Sequence, residues 1–167
     1  MKAFLFPIGL IGIVVFQSSF GEWVRLFSVG PNLFILLLFF LSINSKPEGA
    51  TAMGFLLGLY QDVFSGSPLG LNAFSLSLIG FLLTRVEEEL YLSSPLVRGV
   101  LLFLVTTFSG LVTLFNLNFF MLYRPILDTV TTLILPEALY TTLVGFLVMT
   151  FLPNPILFAS PYARRAL

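Results

Sequence analysis

Long apolar runs separated by brief polar breaks recur along the whole chain. No other feature restricts the fold so strongly. Of 167 residues, 57% are hydrophobic and 10% are charged, and the mean hydropathy is +1.03. A soluble domain carries about 25% charged residues and leaves much of its surface in water at this size. Such a chain has lipid as its natural solvent. It reads as an all-α membrane protein made of one polytopic domain.

The breaks delimit six expected membrane helices, over residues 3–20, 31–44, 48–62, 69–84, 95–115 and 129–152. The first run follows Met1-Lys2 as a signal peptide would, but no small-x-small cleavage site closes it. It is read as the first helix. The second and third runs are short. About 14 residues at 1.5 Å rise cover roughly 21 Å, against roughly 30 Å of hydrocarbon. Pro47 between them argues against one straight helix, so two short crossings are expected, with five crossings in total as the alternative. Cationic residues then set the orientation. With a cytoplasmic N-terminus, the inner segments hold Lys2, Lys46, Arg85, Arg98, Arg164 and Arg165, whereas the outer loops hold Arg25 and Arg124. Both termini are expected on the cytoplasmic side, with Glu87-Glu88-Glu89 as part of a solvated inner loop.

Several classes of chemistry are excluded by composition. The formal net charge is zero, which leaves no basic field for nucleic acid. The absence of cysteine and histidine removes thiol nucleophiles, thiolate metal sites and the commonest general base. Only Asp62 and Asp128 are available for aspartyl chemistry, and neither stands in a protease motif. No cofactor, metal or enzyme activity is expected.

The informative residues are the polar and small exceptions. Ala50, Gly54, Gly58 and Asp62 recur every four residues and share one helical stripe. A small-residue stripe lets another membrane helix approach closely. Asp62, at its end, is either an anchor for a partner or ion or a cap for the following turn. That turn contains Gly66, Pro68 and Gly70 before Asn72, and is shaped by permissive glycines and a fixed proline. It lacks the lysine and the strand context of a phosphate loop. In the last run, Pro136 should kink the helix or mark its start, which would put Glu137 near a helix N-terminus where the dipole favours an anion. Asp62 and Glu137 both fall toward the outer half of the membrane and are candidates to share a polar cavity.

Residues 54–73, GFLLGLYQDVFSGSPLGLNA, resemble the central signature of the MreD family, bacterial rod shape-determining membrane proteins. Leu135-Pro136-Glu137-Ala138-Leu139-Tyr140 resembles that family's signature in the last helix, and Pro31-Asn32-Leu33 and Pro47-Glu48-Gly49-Ala50 match in kind and order. The resemblance implies a scaffold without catalytic activity that pairs with the bitopic protein MreC. Through it, the protein would connect with MreB filaments, RodA and a class B penicillin-binding protein in lateral peptidoglycan synthesis. It also implies a fold like the substrate-binding component of energy-coupling-factor transporters. The motif positions carried over are Gly58, Asp62, Gly66, Pro68, Gly70, Pro136, Glu137 and Tyr140. A small-molecule transport component is the alternative function; its polar lining would have to come from Gln61, Asp62, Asn72 and Glu137.

Overall fold

The computed structural model describes residues 29–42, 45–65, 68–89, 94–119 and 125–151. The first expected helix, Gly66 and the cationic residues Lys2, Arg25, Arg124, Arg164 and Arg165 lie outside them. The described residues form α1 (Leu33–Ser42), α2 (Pro47–Ser65), α3 (Leu71–Glu89), α4 (Pro95–Phe119), α5 (Ile126–Thr129), a π-helical turn (Val130–Ile134) and α6 (Leu135–Phe151). There is no β-strand among the described residues.

Among the described residues, two helical stretches are long and apolar enough to cross a membrane, Pro95–Phe119 and Ile126–Thr150. At 25 residues each, both reach about 38 Å, beyond the roughly 30 Å of hydrocarbon. By contrast α1 has 10 residues, or about 15 Å. Residues 34–42 of α1 are all buried. A helix that is apolar all round is stable only when surrounded, and α1 serves as the central post. Phe39, Ile35, Leu38 and Leu41 pack into one core with Leu76, Ile79 and Leu83 of α3, Leu102 of α4 and Met149 of α6. Within the expected span 31–44, Leu33–Ser42 form a short helix buried inside the bundle. α3 runs on through Glu89, so the backbone of the triple-glutamate run is helical where a loop was expected.

The closest packing joins α2 and α3. On α2 the buried residues are Ala50, Gly54, Gly58 and Asp62, the stripe read from the sequence. A Cβ on Gly54 would overlap the Leu76 carbonyl, and one on Gly58 would overlap the Ala73 backbone and the Asn72 carbonyl. From the opposite side, a Cβ on Gly80 would overlap the Ala50 carbonyl. The two helices therefore meet backbone to backbone as an antiparallel hairpin. The small stripe is consumed within the chain, by its own next helix, and offers no groove to a partner there.

Hydroxyl groups on these helices mostly turn back on their own backbones. Thr51, Ser75, Thr106, Thr107 and Thr150 each donate to the carbonyl four residues earlier, at 2.6–2.9 Å. Hydrocarbon supplies no hydrogen bonds, so this local satisfaction lets the residues sit in apolar helices.

Gly58→Ala should separate α2 from α3 and destabilise the folded protein by about 1–3 kcal/mol, the usual range for overpacking. Gly49→Ala should be near neutral, because the nearest atom to its added Cβ, on Ser45, is 3.9 Å away. Thermal unfolding of both variants in detergent measures the contrast.

Candidate functional site

Asp62 ends the small stripe and is 1% exposed. Its carboxylate reaches across the turn to the start of α3. Oδ2 accepts the Gly70 N–H at 2.8 Å and the Ala73 N–H at 3.2 Å. Oδ1 accepts the Asn72 N–H at 3.0 Å and the Asn72 Nδ2 group at 2.9 Å. The first amides of a helix have no partner of their own, and an anion is favoured there by the dipole. Asp62 thus caps α3 from a distance, the cap role weighed in the sequence. Gly70 has φ +102°, a conformation that glycine adopts without strain. Beside it, the Leu71 N–H donates to the Pro68 carbonyl at 3.3 Å, which closes the turn.

A second polar node links the start of α1 to the last helix. Asn32 caps α1 through Oδ1, which accepts the Ile35 N–H at 3.2 Å. Its Nδ2 donates to Glu137 Oε1 at 2.9 Å, and its backbone N–H donates to Thr141 Oγ1 at 2.9 Å. Asn32 was legible only as part of the Pro31-Asn32-Leu33 opening; nothing in its local sequence gives a partner 105 residues away.

Glu137 does not stand at a free helix N-terminus. The helix continues from α5 through the π turn into α6. Pro136 cannot donate to the carbonyl four residues back and its ring would press on it. The widened turn relieves that conflict: the Leu135 N–H bonds to the Val130 carbonyl, five residues earlier. The π turn also sets Ile134 against α4, where a Cβ on Gly110 would lie 2.7 Å from an Ile134 methyl. What holds Glu137 is Asn32, through a side-chain contact.

Between the two nodes lies a cavity of about 260 Å³, lined by polar residues Asn32, Gln61, Asn72, Ser109, Thr113, Thr129 and Glu137 and by apolar residues of α1, α4 and the last helix. Asn72 lines this cavity while bonding Asp62 behind it, so the acid of the central motif and that of the last helix flank one space, with only Glu137 in its wall. Pro136 and Tyr140 are half-buried and stand outside the lining. A wider groove of about 550 Å³ runs along the outer side of the α2–α3 hairpin, faced by Glu48, Ala52, Phe55, Ser77, Phe81 and Arg85 among others. The Arg85 guanidinium lies 5.4 Å from the Phe81 ring centre.

Asp62→Ala should leave the amides of Gly70, Asn72 and Ala73 without their acceptor, and hydrogen exchange at those positions should accelerate at least tenfold, given the roughly 1.5–3 kcal/mol of a hydrogen bond to a charged group. In a double-mutant cycle, Asn32→Ala and Glu137→Ala should couple by about 1 kcal/mol or more in unfolding free energy, whereas independent sites add within about 0.5 kcal/mol.

The comparison with protein families matches residues 1–154 to the family described as rod shape-determining protein MreD. No curated protein matches the chain, and no solved structure matches it. The family match contains both nodes, from Asn32 through Asp62 and Asn72 to Glu137, and on its extent the chain belongs to the MreD family of rod shape-determining membrane proteins.

Proposed function

We propose that the protein is a non-catalytic scaffold of the cell-elongation machinery, which crosses the membrane about six times with both termini in the cytoplasm and binds an MreC-like bitopic protein. The observation that carries this reading is the family match over residues 1–154. In this role the chain helps direct lateral peptidoglycan synthesis, linked through its partner to MreB, RodA and a class B penicillin-binding protein. A fold of the energy-coupling-factor substrate-binding kind is part of the same reading.

Because α3 covers the glycine stripe, the partner helix must seat on an outward face. The groove beside the hairpin suits it. Ala52 and Ser77 keep its floor low, Phe55 and Phe81 wall it, and small residues permit close helix approach in lipid. Glu48 and Arg85 lie at the end where the expected orientation places the cytoplasm. The transporter alternative is weakened by size: the polar cavity, at about 260 Å³, falls below the usual range of about 300–1,000 Å³ for drug-sized ligands.

Co-expression of the full chain with an MreC-like protein should recover the pair from detergent extracts. Ala52→Trp should reduce that recovery at least tenfold with unchanged membrane yield. Depletion of the chain from its rod-shaped host should give round cells. Persistence of rods after depletion would contradict the scaffold role, and unchanged recovery with Ala52→Trp would move the partner to another face.

A further inference from the structure

We propose that Glu48, at one end of the groove beside the α2–α3 hairpin, pairs with a lysine or arginine at the cytoplasmic end of the partner's single membrane helix. The inference rests on the scaffold reading above and names the contact that sets the partner's register. The groove extends from Glu48 to Phe55 on α2 and from Ser77 to Arg85 on α3. Those stretches cover about 10–12 Å of helix, so the groove seats about two turns of a partner helix. Thr51 in its wall spends its hydroxyl on the Pro47 carbonyl at 2.6 Å and adds no unmet polar group.

Two charges close the groove at one end, and they are not equivalent. The Arg85 guanidinium is engaged within the chain. It lies 5.4 Å from the Phe81 ring centre and is held by a further interaction. Glu48 is exposed and makes no ion pair among the described residues. The dipole of α2 favours an acid in its first turn, but that effect does not require the side chain to border a groove. Lys46 precedes α2 and does not line the groove. The α2 side of this end is therefore acidic.

A single-span membrane protein carries its lysines and arginines at the cytoplasmic flank, the side on which the expected orientation puts Glu48. A partner helix that enters the membrane from that side runs parallel to α2. Glu48 and Ala52 are one turn apart. The partner's cation should thus stand three or four residues to the cytoplasmic side of the residue that faces Ala52. A lysine or arginine stem lies along apolar surface while its head stays in water, and lipid covering part of the pair weakens the screening.

The chain contains no cysteine, so Ala52→Cys gives one thiol on the groove floor. The full chain is co-expressed with an MreC-like partner carrying one cysteine at a time along its membrane helix. Disulfides should form at one position and at its neighbours three and four residues away. Glu48→Lys should lower recovery of the partner at least tenfold with unchanged membrane yield. Glutamate in place of the partner's lysine or arginine, three or four residues cytoplasmic of the cross-linked position, should restore it. Recovery with the unsubstituted chain should fall as salt rises, and Glu48→Gln should remove that dependence. Recovery unchanged by Glu48→Lys would overturn the pairing, as would a loss that no reversal in the partner restores. A recovered complex without cross-links at Ala52→Cys would leave the groove to lipid and overturn it as well. Failure to recover any pair from unsubstituted chains would strike the scaffold reading itself, and this inference with it.

Discussion

The carboxylate of Asp62 holds the structure's tightest joint together. It stands in the last turn of one helix and satisfies the backbone amides that begin the next. Those amides, at the first turn of α3, have no partner within their own helix. A neutral apolar residue at this position would leave three donors unmet at the point where two backbones already touch. The close approach and the cap depend on each other. Glycines at 54, 58 and 80 bring α2 and α3 into contact, and contact brings Asp62 within reach of Gly70, Asn72 and Ala73. The positive φ at Gly70 bends the chain so that those amides face the acid.

Around this hairpin the rest of the bundle is organised by burial and by a second polar tie. The ten residues of α1 cover about 15 Å, and residues 34–42 are buried on all sides. They become the post on which α3, α4 and α6 pack. Asn32 fixes that post to the last helix by bonding Glu137 and Thr141 while it caps its own helix. The π turn before Pro136 is the local cost of a proline inside a long helix, and it places Ile134 in the space left by Gly110.

Much of this was legible in the residues, because some of the constraints are periodic. A repeat of four small or capping residues can only be one face of a helix, and the buried face of α2 is that set. The stiff turn was legible from Pro68 and Gly70. The identity of what covers the stripe was not, since a small-residue face accepts any helix of suitable shape. A partner protein and the chain's own α3 were equally compatible with the pattern. Likewise, Pro136 signals a break in helical bonding, but whether the helix stops or widens depends on what packs beside it.

The sequence by itself determined the solvent, the helical class, the small face ending in Asp62 and the family to which the chain belongs. These follow from composition, spacing and motif, all of which are local. Only the tertiary structure decided that the stripe is spent on α3, that α1 is an enclosed post and that Glu137 answers to Asn32 rather than to a helix end. It also brought Gln61, Asn72, Ser109, Thr113 and Glu137 around one cavity. Those outcomes depend on contacts between residues far apart in the chain, where the geometry of packing, and not the local pattern, selects each partner.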